Sequence, residues 1–114
     1  MVYQGAAAKA LDALGDPTRR AVFETLAIGP HPVGEIAAGL PVSRPAVSQH
    51  LRVLKEAGLV RDRRDGNRRV YSVDPAGLAA LRDYLERHWD SALESFEKAA
   101  AKAKAEEAKE GDER

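Results

Sequence analysis

The amino-acid sequence predicts a mainly α-helical domain carrying one small β-hairpin, and three observations support that reading. Helix start and stop signals divide the chain into five helical segments. Between the fourth and fifth, Asp65-Gly66-Asn67 separates two short runs with strand character, the pattern of a hairpin turn. Charge is also segregated. From Ser43 to Val73 eight Lys/Arg stand against three Asp/Glu, net +5, in a chain of 114 residues whose formal total is zero. A neutral chain that concentrates positive charge on one stretch presents it to a polyanion.

Taken in order, Ala6 to Leu14 is helix-prone and Ala-rich, with Leu11 and Leu14 as its apolar points and Gly15 as its end. Asp16-Pro17-Thr18 starts the second helix, Asp as N-cap and Pro at the first helical position. That helix runs to about Ile28, points Val22, Phe23, Leu26 and Ala27 inward, and stops at Gly29-Pro30-His31-Pro32. A short third helix, Val33 to about Gly39, buries Val33, Ile36 and Ala37 together with Leu40. Leu40-Pro41-Val42 turns the chain into the fourth helix.

Ser43 to Ala57 has two unlike faces. Ser43 is placed to cap its start, Pro45 is tolerated in the first turn, and Gly58 ends it. Val47, Leu51 and Leu54 face inward with Val53 on the flank, while Arg44, Ser48, Gln49, His50, Arg52 and Lys55 form the other face. Those side chains can donate to base edges or phosphates in a major groove. The N-terminal turns of such a helix reach deepest, so Arg44, Ser48 and Gln49 are the candidates for base edges. His50 and Arg52 are the candidates for phosphate or the helix's own flank. Leu59 to Arg63 and Arg68 to Val73 form the hairpin, with Gly66 and Asn67 expected at positive φ. Arg63, Arg64, Arg68 and Arg69 are read as phosphate or minor-groove contacts, with Asn67 at the tip and Tyr71 packing. Two helices joined by a short turn, then a basic hairpin, make a winged helix-turn-helix.

Asp74-Pro75 opens the longest helix. Leu78, Leu81, Leu85, Trp89, Leu93 and Phe96 recur at steps of three and four, with Tyr84 and His88 on the margins. This stripe of about five turns exceeds what a small helical core needs, which predicts a partner helix in a homodimer. Beyond Lys98 the chain is charged and Ala-rich without an apolar face. Residues 98–114 are therefore expected to fray as a solvated tail, leaving 1–97 as the DNA-binding and dimerisation domain. From Asp74 onward seven basic and eleven acidic residues give net −4, opposite in sign to the Ser43–Val73 stretch.

Composition narrows the function classes. With no cysteine, disulfides, thiolate metal sites and cysteine redox sensing are excluded. Residues 1–9 lack the layout of a secretion signal, and no apolar run approaches the roughly 20 residues that span a bilayer, so a cytoplasmic protein is expected. Neither a Gly-rich phosphate loop nor a nucleophile elbow is present, and an enzyme is not expected. His31, His50 and His88 fall in three different elements, and His88 lacks a second ligand at metal-binding spacing, although Glu86, Asp90 and Glu94 are near it in sequence. Neither metal nor cofactor is expected.

Ala13-Leu14-Gly15-Asp16-Pro17-Thr18-Arg19-Arg20, Val33-Gly34-Glu35-Ile36-Ala37, Ser43-Arg44-Pro45-Ala46-Val47-Ser48-Gln49-His50-Leu51 and Gly66-Asn67-Arg68-Arg69-Val70-Tyr71 together resemble the ArsR family of bacterial winged-helix repressors. The resemblance covers roughly Leu11 to Phe96. It implies a dimer formed by the first and last helices, binding double-stranded DNA at a pseudo-palindromic operator and repressing transcription. Leu11, Leu14, Leu81, Tyr84, Leu85, His88, Trp89, Leu93 and Phe96 are the expected interface. Many members sense metal through a Cys-Val-Cys box, but Pro32-Val33-Gly34 stand at the corresponding positions here. Others bind zinc between paired last helices, where this chain has His88 alone. The sequence is similar to a cysteine-free subgroup without an evident metal site. Two other readings stay open: a winged helix that binds a partner protein, and a repressor that senses a ligand or metal near the C-terminal helices.

Overall fold

The computed structural model describes residues 5–112, with side chains described as far as residue 108. Residues 1–4, part of the stretch read against a secretion signal, and residues 113–114 of the expected tail lie outside the described residues. The chain divides into two units, one ending at Arg82 and one beginning at Asp83.

The first unit is built from α1 (Gly5–Gly15), α2 (Pro17–Ile28), β1 (His31–Pro32), α3 (Val33–Ala38), α4 (Arg44–Glu56), β2 (Val60–Asp65), β3 (Arg68–Val73) and the opening turns of α5 (Pro75–Asp112). Local chemistry sets the boundaries. Asp16 caps α2 as expected, its Oδ2 accepting from Arg19 N at 2.8 Å, with Pro17 following. The Arg20 Nε and an Arg19 guanidinium nitrogen donate back to the carbonyls of Leu14 and Ala13, at 3.0 and 3.2 Å. They satisfy acceptors that the end of α1 leaves open. Asp74 caps α5, accepting from Ala76 N at 3.0 Å.

Val22, Ile36, Val47, Leu51, Leu54 and Leu59 are fully buried, and Leu26, Val60, Ala10, Ala13 and Leu81 complete the core. Each large aliphatic side chain removed from water contributes about 1.5–3 kcal/mol relative to exposure. The buried edge of α1 is Ala7, Ala10 and Ala13, whereas Leu11 is exposed and Leu14 half-buried. The small alanines occupy the side nearest the core, and Leu11 falls on another face. Ala27 was expected inside and is exposed, because the buried stripe of α2 ends at Leu26.

A third strand departs from the sequence reading. His31-Pro32, read only as a helix stop, pairs with β3 antiparallel, His31 opposite Tyr71 and Pro32 opposite Val70. The sheet order is β1-β3-β2, so β1 is an edge, where a proline without an N–H is tolerated. β2 and β3 pair from Val60↔Val73 to Asp65↔Arg68, leaving a two-residue turn, Gly66-Asn67. Only Gly66 has positive φ, at 63°, and Asn67 does not. Glycine at the first central position with a negative-φ second residue is the pattern of a type II′ turn, not the double positive φ of type I′.

The second unit is the remainder of α5. The helix continues to Asp112, past the point near Lys98 where fraying was expected. Alanine-rich sequence has high helix propensity, and Lys98 pairs with Glu94 one turn back at 3.3 Å. Side chains from Leu85 to residue 108 are exposed, among them Leu85, Leu93, Trp89 at 66% and Phe96 at 68%.

Candidate nucleic-acid interface

The interface is organised by α4. Ser43 sits in extended backbone just before the helix, and its Oγ accepts from Ala46 N at 3.2 Å. The other end closes with paired bonds of a Schellman cap. Gly58 N–H donates to Lys55 O and Leu59 N–H to Leu54 O, both at 3.0 Å, with Gly58 at φ 79°. Val47, Leu51 and Leu54 anchor the inner face at complete burial, so the opposite face is held outward. Arg44, Ser48, Gln49 and Arg52 are all exposed, as is Pro45 in the first turn. Arg52 pairs with Glu56 at 3.3 Å, a surface i,i+4 contact that a phosphate can displace.

His50 is placed differently from the other polar residues of this helix. Its side chain is only 19% exposed, and Nδ1 is buried 3.9 Å from Asp16 Oδ2, the N-cap of α2. That separation is too long for a hydrogen bond. His50 therefore leans toward the α1–α2 junction rather than outward with Ser48 and Gln49.

Alternation along the hairpin divides the arginines read as one set. Arg64 and Arg69 share a face with Asp62, whereas Arg61, Arg63 and Arg68 lie on the other. All five are exposed. Arg69 is engaged: a guanidinium nitrogen lies 2.5 Å from Asp62 Oδ2, and Lys55 Nζ approaches the other carboxylate oxygen at 2.6 Å. The Asp62 side chain is 4% exposed. The Lys55 hydrogen bond holds its carboxyl below the usual carboxylate value; burial opposes that effect and Arg69 reinforces it. This triad was missed in the sequence, although period-two spacing from buried Val60 places Asp62 on the inward face.

Between the starts of α3 and α4 and the wing tip lies a cleft of about 330 Å³. Arg44, Asn67, Arg68 and Arg69 line it with Gly34 and Glu35, so three elements bring part of the predicted set together. A Cβ added at Gly34 would sit 3.9 Å from the Arg44 guanidinium, which places that side chain over the start of α3. Ser48, Gln49, Arg52, Arg63 and Arg64 do not line this cleft.

The expected interface residues also separate. Leu81, grouped with the α5 stripe, is 6% exposed and belongs to the core of the first unit, so it has no surface to offer a partner. Leu14 packs partly on the same core. Tyr84 and His88 stack at 4.1 Å between ring centroids, and His88 Nδ1 lies 2.9 Å from the Tyr84 carbonyl oxygen. Among the described residues no three His, Cys, Asp or Glu side chains converge as a metal site would require. None of the described helices is long and apolar enough to cross a membrane.

A capped helix with an outward polar face, backed by a cation-bearing three-stranded wing, defines a winged helix-turn-helix. Residues 14–63 match the family described as Helix-turn-helix domain. The chain is 62% identical over 88 residues to the HTH-type transcriptional regulator Rv2034 of Mycobacterium tuberculosis, covering 77% of this chain and 82% of that one. It resembles the solved ArsR-like transcriptional regulator from Rhodococcus sp. RHA1 (TM-score 0.72, 30% identity, 88% of this chain and 97% of that one). It is also similar to the homodimeric winged helix-turn-helix DNA-binding domain of Mb0332 from Mycobacterium bovis, a possible ArsR-family regulator (TM-score 0.65, 29% identity, 82% and 87%). The chain belongs to the ArsR family of winged helix-turn-helix transcriptional regulators.

Proposed function

We propose that this chain is a cytoplasmic, homodimeric repressor that occludes a promoter by binding a pseudo-palindromic operator. The observation that carries the reading is the outward face of α4. Arg44, Ser48 and Gln49 are exposed in its first turns, beside a wing whose arginines lie in the same net-positive stretch of a neutral chain. Two copies of α4 enter successive major grooves roughly 34 Å apart, as in other two-fold helix-turn-helix proteins. Arg44, Ser48 and Gln49 read base edges there. Arg68 and Asn67 meet the backbone beside the groove, with Arg63 and Arg64 adding phosphate contacts. Leu85, Trp89, Leu93 and Phe96 supply the partner surface, because each otherwise leaves apolar area in water. No metal enters this mechanism.

The test is a gel-shift titration against the DNA upstream of the protein's own coding region, with scrambled DNA as control, at two salt concentrations, with and without zinc. A selective shift indifferent to zinc is expected. If six or more cations meet phosphate across the dimer, affinity falls by about 10³-fold or more between roughly 50 and 200 mM salt. Binding to both DNAs alike refutes self-regulation through that site, and release by zinc refutes the metal-free mechanism.

A further inference from the structure

A protein that presents cations to DNA gives up attraction when it neutralises charge internally, and the single carboxylate of Asp62 engages two cations. Its carboxylate bridges Lys55 in the last turn of α4, at 2.6 Å, and Arg69 on β3, at 2.5 Å. The bridge therefore joins the recognition helix to β2 and β3 of the wing. Apolar packing cannot do this farther out. Along β2 it ends at Val60 and along β3 at Val70, and every residue from Arg63 to Arg69 is exposed. Beyond the Pro32–Val70 pairing only two strands continue, without a packed face; such a hairpin is marginal by itself, and apolar contact near its base does not fix the direction of its tip. Charge-assisted bonds to both oxygens of one shielded carboxylate are short and directional.

We propose that Asp62 is a positioning residue that sets the wing on α4, so that the wing cations and the polar face of the helix meet DNA in one register. This rests on the DNA-binding reading above. A wing free to rock still attracts phosphate, but it no longer presents Arg68 and Asn67 in step with the base contacts of Arg44. Preference for the correct sequence falls while general attraction does not.

The experiment begins by enriching duplexes from a random-sequence pool with the wild-type protein. The best duplex and its scrambled version are then titrated with wild type, Asp62→Asn and Lys55→Gln. The two variants change the charge in opposite directions, so Asp62→Asn should bind scrambled DNA more tightly and Lys55→Gln more weakly. Asp62→Asn removes the charge and one of the two acceptor oxygens, Lys55→Gln removes the cation on α4, and each should reduce the ratio of affinities for the two duplexes by roughly tenfold, a typical coupling between linked sites. A loss of folded protein cancels in that ratio, so instability alone does not move it. If Asp62→Asn does not fold, Lys55→Gln carries the test, because it leaves the strand intact and alters a half-exposed side chain. An unchanged ratio in either folded variant overturns the inference and leaves Asp62 a modulator of charge. Failure of the wild type to enrich any duplex overturns the DNA-binding reading itself, and the inference with it.

Discussion

Alanine in place of glycine inside a helix ordinarily stabilises, by about 0.5–1 kcal/mol, through backbone entropy and propensity. Gly77, in the first turn of α5, should reverse that sign. A Cβ there would fall on the Gly58 carbonyl oxygen and lie 2.7 Å from its carbonyl carbon and 3.5 Å from Leu59 N. The obstacle is backbone, so no side chain can swing aside. It is also fixed backbone: Gly58 has φ 79°, both Gly58 and Leu59 N–H groups are bonded into the end of α4, and Leu59 O accepts from Asp74 N at 2.9 Å. Relief requires moving the start of α5 away from the α4–β2 junction, which disturbs Leu59 and Leu81 in the core. Overpacking typically costs 1–3 kcal/mol, and backbone against backbone belongs at the upper end. After subtracting the propensity gain, Gly77→Ala should destabilise by about 2 kcal/mol, a fall in melting temperature of roughly 10 °C for a domain of this size.

Gly34→Ala in α3 is the matched control, because its added Cβ meets only the Arg44 guanidinium at 3.9 Å, an ordinary contact. It should be neutral or stabilising by up to about 1 kcal/mol. Thermal and urea unfolding of the three proteins at one protein concentration decides the matter, since the proposed dimerisation would make stability concentration-dependent. A Gly77→Ala protein as stable as wild type would refute the close approach and the reasoning built on it.

Other outcomes follow from the same geometry. Arg44→Ala should weaken binding to the preferred duplex more than to scrambled DNA in competitive gel shifts, and equal losses would remove Arg44 from the base-reading set. Arg68→Ala should weaken both alike and flatten the plot of log affinity against log salt by about 0.9 for each phosphate no longer neutralised. Trp89→Ala should shift sedimentation toward the monomer, whereas an unchanged dimer mass would place the interface elsewhere. Because the folded Asp62 carboxyl titrates below its ordinary value of 3.8, it contributes stability above that value and loses it as pH falls through the folded pKa. Urea melts should therefore separate wild type from Asp62→Asn at pH 7 and bring them together well below pH 3.8, and a constant gap would contradict the Lys55–Asp62–Arg69 bridge.

Features whose causes lie within a few residues of one another were legible in the amino-acid sequence. Asp16 and Ser43 as caps, Gly58 as a C-terminal stop and the buried face of Val47, Leu51 and Leu54 follow from helical periodicity and local hydrogen bonding. The outward placement of Arg44, Ser48 and Gln49 follows from the same inner face, and the cation-rich hairpin follows from the Asp65-Gly66-Asn67 turn between two strand-like runs rich in arginine. Features that depend on partners distant in the chain emerged only from the folded arrangement. Leu81 and Leu85 look alike on one stripe, yet only Leu81 meets a core made by other elements. The two-residue β1 is too short to announce itself and exists because β3 offers an edge. Asp62 and Asp65 are both acids in one arginine-rich strand, and only Asp62 lies under Lys55 and Arg69. His50 turned toward Asp16 and Gly77 pressed on Gly58 belong with them. Periodicity tells which face of an element turns inward, but the particular atoms waiting there are supplied by the rest of the fold.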